Sequence, residues 1–186
     1  ANIFSTRFRI ETVDSERGKK YEQEFSDNMT VVGKPKITSC KNKPYVLIEF
    51  VPDFKRFKIP GLTDDIVKVF TKRVYDLSAT TKDVNIYLNG NKLPIRNFEK
   101  YMELYIGSNK KELPRVYQEV NDRWEVGACT SPDGTFQHIS FVNGIWTYKG
   151  GKHVDYIADQ LARRVTKYIG EKKKKVTVKE GYVKSN

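Results

Sequence analysis

Hydrophobic and polar residues alternate with period two over FRIETVD (8–14) and again over KYEQEF (20–25). That pattern predicts two strands, and the polar SERGKK around Gly18 joins them as a hairpin. KITSC (36–40) and YVLIEFVP (45–52) are the next strand candidates, the second bracketed by Pro44 and Pro52. The period then changes. Leu62, Ile66, Val69, Phe70, Val74 and Leu77 fall on one helical face across 62–79. Thr63 is placed to cap that helix, and Asp64 and Asp65 suit the positive end of its dipole.

Strand, Asn89-Gly90 turn and short return strand follow over 83–94, then a short amphipathic helix over 98–107 that stops at Gly107. The polar stretch 108–114 closes on a proline and reads as a linker. Residues 115–130 carry strand material around an Asn121-Asp122 turn, and SPDG (131–134) is a tight turn. TFQHISFVN (135–143) alternates as a further strand. Its one face carries Phe136, His138, Ser140 and Val142; the other carries Gln137, Ile139 and Phe141. Val154, Ile157, Ala158, Leu161, Val165 and Ile169 then define the stripe of a long helix, with Gly170 as its expected stop. Asp159 stands four residues before Arg163, a favourable helical pair. EKKKK and the alternating VTVKEGYVK follow. The first residues, ANIFS, read as the tail of a helix. The pattern as a whole is a mixed α and β chain in two parts, strand-rich 1–97 and a strand–helix unit over 115–186.

Composition sharpens this. With 38% hydrophobic and 12% aromatic residues in 186, the chain can build a core and is not of the disordered class. Its net charge is +11, and residues 163–186 hold nine cations against Glu171 and Glu180, or +7 of that total. An anionic partner is implied for that segment. Cys40 and Cys129 lie far apart with no CxxC or Cys/His spacing, which argues for two free thiols and against zinc. The sequence contains no apolar run long enough to span a membrane.

Enzyme chemistry finds little support in the motifs. His138 and His153 are the only histidines, and neither has a carboxylate or thiol at ligand spacing. A Ser–His–Asp set could assemble in space, but there is no GxSxG elbow. Asp155 and Asp159 share a helix face and could hold magnesium, although Arg163 answers Asp159. Asp64 and Asp65 point about 100° apart, so they read as capping charge, not as an acid pair. YKGGKH (148–153) precedes a helix whose amides could attract phosphate, yet KGGK matches neither nucleotide-loop pattern and reads better as a hinge. The lysine run is the strongest generic signal. Lys172, Lys173, Lys174 and Lys175 follow directly on a packed helix, with Arg163, Arg164 and Lys167 as weaker candidates upstream. Such a cluster predicts contact with nucleic-acid phosphates without base reading.

The order FVN, GG-x-HVDY, ADQ closely resembles the transducer region of eukaryotic-type DNA topoisomerase II. NIFST, DNM, F-x-PD-x-x-x-F (50–57), RVYDL (73–77), V-x-x-YLNGNKLPI-x-NF (84–98) and V-x-DRWEV (120–126) occur in the same family's order, so the resemblance covers nearly the whole chain. It implies the later half of a GHKL (Bergerat) ATPase sandwich followed by the first half of a ribosomal-protein-like α/β transducer domain, an α+β arrangement. The implied division is 1–97 for the ATPase part, 98–114 for a connecting helix and linker, and 115–186 for the transducer part. The activity implied for the parent is ATP-dependent passage of one DNA duplex through a transient double-strand break in another.

The resemblance also implies what to expect of ligands. ATP and magnesium belong to the parent, whose general-base glutamate, magnesium-binding asparagine and glycine-rich loop map before NIFST; the glutamine–threonine–lysine loop maps after YVKSN. No ATP-hydrolysis or DNA-cleavage residue is therefore expected here, and no cofactor is expected on this segment alone. Where the family often carries a threonine near the nucleotide, this chain has Val46, which has the shape without the hydroxyl. Implied partners are double-stranded DNA, the rest of the same polypeptide and a homodimer mate, with no membrane, in a nucleus or at a viral replication site. Two competing readings are a stand-alone, sequence-independent nucleic-acid-binding module and another GHKL ATPase. The helix HVDYIADQ argues against the second. A further expectation concerns the sheet of residues 8–52: the Bergerat fold covers it with helices from the upstream half, so one apolar face should lie open.

Overall fold

A computed structural model describes residues 1–173 and 176–184. After a 3-10 turn over Asn2–Phe4, where the sequence suggested a helical tail, strand β1 (Ser5–Asp14) forms the centre of a five-stranded antiparallel sheet. On one side it pairs with β2 (Lys19–Ser26) and on the other with β5 (Tyr45–Pro52). β2 in turn carries β3 (Val31–Val32) near one end and β4 (Lys36–Ser39) near the other. Asp27, Asn28 and Met29 connect β2 to β3 with φ of 49°, 58° and 69°. Left-handed backbone costs roughly 1–2 kcal/mol per residue. Here Asp27 N–H and Asn28 N–H donate to the Thr6 and Ser5 carbonyls at 3.1 and 3.0 Å, which holds the turn against the start of β1.

The register sorts the sheet into two unlike faces. Phe8 stands opposite Phe25 and Phe50, Ile10 opposite Ile48, and Thr12 opposite Val46. Ring centroids of Phe8 lie 6.1 Å from Phe25 and 6.5 Å from Phe50. The alternate residues carry charge. Arg9 meets Glu11 at 2.6 Å, Glu22 at 3.1 Å and Glu49 at 2.6 Å, and Arg7 meets Glu24 at 2.7 Å. Tyr45 donates to Glu11, which holds that carboxyl below its ordinary range, with Lys20 and Arg9 adding to the effect. The apolar face is open, as anticipated for this sheet: Val46, Ile48, Phe50, Ile37 and Val32 are all exposed.

Helix α1 (Asp64–Thr80) follows, and Ile66 N–H donates to the Thr63 hydroxyl at 3.4 Å, so the expected cap is in place. The chain divides into two compact units, Ala1–Val67 and Lys68–Asn186, and thus within α1. Leu62, Val69 and Phe70 of the predicted apolar stripe are exposed, while Ser78 and Ala79 near the end of the helix are buried.

The second unit is built on a small core of Ala79, Ile95 and Tyr101, against which Tyr75, Phe98, Ile139 and Phe141 pack. Helix α2 (Phe98–Ile106) supplies Phe98 and Tyr101; Asn97 caps it by accepting from Lys100 N–H at 2.9 Å, and Gly107 ends it at φ 71°. α2 therefore contributes to this core: its ring pair at 6.4 Å closes on Phe141 at 5.7 Å. Two hairpins follow expectation: β6 (Tyr87–Leu88) with β7 (Asn91–Lys92) across Asn89-Gly90, and β8 (Arg115–Asn121) with β9 (Trp124–Cys129).

Two expectations fail. The strand predicted over 135–143 reduces to β10 (Phe141–Val142), which turns at Asn143-Gly144 and pairs with β11 (Ile145–Trp146). Asn143 and Gly144 have φ of 50° and 73°, a two-residue hairpin turn of the kind that the Asn-Gly pair favours. Helix α3 (Lys152–Lys172) runs through Gly170 to Lys172, because a glycine ends a helix only where the backbone turns left-handed. The alternating tail ends in helix α4 (Glu180–Lys184), which packs on α3; alternation without a neighbouring strand satisfies no backbone ladder.

Candidate nucleic-acid interface

The cations singled out from sequence sit on α3 and at its end. Taking about 100° per residue, Arg163 and Lys167 lie on the side opposite the apolar stripe, and Arg164 lies between the two sides. Ala162 is buried, while Arg163, Arg164 and Lys167 are exposed. Arg163 and Lys167 have local partners: Arg163 Nε donates to the Asp159 carbonyl at 3.3 Å, and Lys167 approaches Glu171 at 3.9 Å. At that distance and exposure an ion pair contributes about 0–1 kcal/mol, so Lys167 is readily available to a phosphate.

Lys172 is the last residue of α3, and Lys173 follows it with its N–H donating to the Ile169 carbonyl at 2.8 Å. Lys172 Nζ lies 6.0 Å from the centre of the Tyr168 ring, one turn earlier. An exposed aromatic therefore does stand beside the cluster, as the i,i+4 spacing of Tyr168 and Lys172 on one helix allows. Lys174 and Lys175 lie outside the described residues. Positive charge at this end of a helix also complements the dipole.

The Asp159–Arg163 pair predicted from spacing does not form through the carboxylate. Lys184 of α4 takes the Asp159 side chain, holding its carboxyl below the ordinary value. The folded-back tail brings this partner, so helical spacing alone could not identify it.

The glycine-rich turn before α3 has a use that sequence reasoning missed. Gly150 and Gly151 have φ of 73° and 146°. A Cβ on Gly150 would stand 3.2 Å from His138 Nε2, and one on Gly151 would stand 3.2 Å from His153 Nδ1. Both histidines enter one hydrogen-bonded chain. His138 Nδ1 meets Ser140 Oγ at 3.3 Å, Ser140 Oγ meets Thr147 Oγ1 at 2.6 Å, and Thr147 Oγ1 meets His153 Nε2 at 3.0 Å. Thr147 Oγ1 also donates to the Ser140 carbonyl at 2.9 Å. Ser140 Oγ also reaches the Thr147 carbonyl at 3.4 Å, so the two hydroxyls tie the strand residues to both imidazoles. The diglycine is a close-packed hinge between hairpin and helix. Among the described residues, no group of three His, Cys, Asp or Glu side chains could hold a metal ion, and Cys40 and Cys129 are free.

No described helix is long and apolar enough to cross a membrane. Val46, the position that the resemblance sets near a nucleotide, is 68% exposed and offers no hydroxyl. That side chain can therefore make no hydrogen bond to a nucleotide, and no step of ATP chemistry is assigned to this chain's residues.

Comparison with known proteins places the two units together in one lineage. The DNA gyrase B family profile matches residues 81–186. DNA topoisomerase 2 of Saccharomyces cerevisiae is 43% identical along the whole chain, which spans 14% of that relative's length. The crystal structure of the ATPase region of Saccharomyces cerevisiae topoisomerase II superposes with a TM-score of 0.80 at 44% identity, covering 96% of this chain and 45% of that one. The ATPase and transducer domains of DNA topoisomerase II from Balamuthia mandrillaris superpose with a TM-score of 0.85 at 38% identity, covering 100% of this chain and 48% of that one. An open amphipathic sheet, a GG-x-HVDY helix start and likeness along the full length converge: the chain belongs to the DNA gyrase B family, on the side of the eukaryotic DNA topoisomerases 2.

Proposed function

We propose that this chain is part of an ATP-dependent type II DNA topoisomerase that passes one duplex through a transient double-strand break. The observation that carries the reading is the 38–44% identity, sustained over 96–100% of the chain, to regions described as ATPase and transducer domains. In this reading residues 1–97 finish the ATPase domain, 98–114 connect, and 115–186 begin the transducer, although the compact units divide at Val67. The parent uses ATP and magnesium, acts as a homodimer, and works in a nucleus or at a viral replication site.

The segment's own role is to couple closure of the ATP clamp to the DNA gate and to touch double-stranded DNA through Lys172, Lys173, Lys174 and Lys175, with Arg163, Arg164 and Lys167 beside them. α3 supports the coupling role: one rigid helix joins the hydrogen-bonded diglycine hinge at its start to the basic cluster at its end. Contact of this kind reads backbone charge and not sequence. Replacing Lys172 to Lys175 with glutamine is expected to weaken duplex binding equally across sequences. It should also flatten the plot of log K against log salt by about 0.9 for each phosphate that is no longer neutralised. An unchanged slope rules out the assignment.

A further inference from the structure

The hairpin β10–β11 carries an exposed feature that the topoisomerase reading leaves unused. Trp146 ends β11 and Tyr148 lies in the turn that Gly150 N–H closes on the Thr147 carbonyl at 2.9 Å, while the Thr147 hydroxyl meets the Ser140 and His153 side chains. The two rings lie 5.6 Å apart between centroids and are tilted by 50°. Trp146 is 41% and Tyr148 63% exposed.

Both rings are associated with cations. Lys72 Nζ sits 3.9 Å over the Trp146 ring while both its Asp76 contacts are at 2.9 Å, so a buried carboxylate fixes the cation that fixes the indole. Arg73 further ties the hairpin to α1 by donating to the Gly144 carbonyl. Lys149 Nζ lies 5.6 Å from the Tyr148 ring centre, and that lysine has no carboxylate partner among the described residues. The combination matches ligands that present a flat π-face and a negative charge a few ångströms apart, and unstacked nucleotides do so.

We propose that Trp146 and Tyr148 form a stacking platform for unpaired nucleobases, with Lys149 taking an adjoining phosphate. Bases within a duplex hide their faces in the stack, so the platform selects single-stranded or locally opened nucleic acid. The rings are too close together to sandwich a base, and Lys72 takes one face of Trp146, so a base stacks on a ring face left open. The site stands on α1 and the β10–β11 hairpin and does not depend on the lysine run.

The test uses the 186-residue chain with Trp124→Phe, so that emission reports Trp146 alone, titrated with a twelve-residue oligothymidylate at fixed salt. Saturation is expected to quench Trp146. Tyr148→Ala should weaken binding about tenfold with little change in salt slope, since it removes stacking on a base and leaves the phosphates neutralised. Tyr148→Phe should bind as the parent does, and Lys149→Gln should reduce the slope by about 0.7. Tyr148 is exposed enough that these variants keep the fold, which matching far-ultraviolet circular dichroism verifies. Unmoved Trp146 emission at saturation overturns the proposal. So does parental affinity of Tyr148→Ala, or a blunt duplex of equal length competing on equal terms. Glutamine at Lys172 and Lys173 should leave the quench in place, which separates this site from the duplex contact.

Discussion

Replacing Tyr101 with phenylalanine removes one oxygen from the most enclosed large side chain of the second unit. Tyr101 is 1% exposed, and its hydroxyl donates to Asp76 Oδ1 at 2.6 Å and meets the Tyr105 hydroxyl at 2.9 Å. Burial pushes this phenol far above its ordinary value, and the Asp76 bond adds to the effect. Phenylalanine keeps the ring contacts with Phe98 and Phe141, so no cavity opens. What disappears is a hydrogen bond to a buried carboxylate, a class that contributes about 1.5–3 kcal/mol. Asp76 is itself 2% exposed but remains held by Lys72, so the cost belongs near the lower end, about 2 kcal/mol. For a chain of this size that corresponds to a fall in melting temperature of roughly 4–8 °C. Both tryptophans, Trp124 and Trp146, belong to the second unit, so urea denaturation followed by tryptophan emission reads the relevant transition. Combining Tyr101→Phe with Asp76→Asn should reveal a coupling of about 1 kcal/mol or more, since the two groups share one bond. A loss below about 0.5 kcal/mol for Tyr101→Phe, in the range of an ordinary surface change, refutes the view that this bond anchors the core.

Asp133 accepts from the Ser131 hydroxyl, from Thr135 through both its hydroxyl and its backbone N–H, and from Gln137, which lowers its carboxyl from 3.8 to about 2. A carboxyl whose folded value is depressed stabilises the fold fully above its unfolded value, so this turn should hold above about pH 4 and loosen as pH falls toward 2; carboxyl-carbon NMR titration of Asp133 reads the midpoint, and a value near 4 contradicts the contacts. Gly90 has open space where a Cβ would go but φ of 79°, so Gly90→Ala should cost about 1 kcal/mol from backbone conformation alone, measured by the same denaturation. The open sheet face should bind the dye ANS, and Ile48→Glu should reduce both dye binding and light scattering; unchanged signals would mean that the face is covered in solution.

Much of the local structure was legible because it depends on neighbours in the chain. The β1–β2 hairpin, the Asn89-Gly90 turn, the cap at Thr63 and the stop at Gly107 each follow from spacing and one or two special residues. The alternation that predicted strands also sorted the first sheet into an apolar face and an Arg–Glu lattice. Asn143-Gly144 obeys the same rule as Asn89-Gly90, and the signal was there to be read; the longer alternation of 135–143 masked it.

Other features required distant segments to meet. No spacing could pair Lys184 with Asp159, join His138 to His153 through two hydroxyls, or set Lys72 between Asp76 and Trp146. Sequence by itself determined the periodicities, the turn chemistry and the concentration of positive charge, since each is a property of a short stretch of chain. Tertiary structure alone decided which carboxylate answers which cation and which aromatic rings stay in contact with water. Those outcomes depend on through-space distance and desolvation, and a linear chain carries neither.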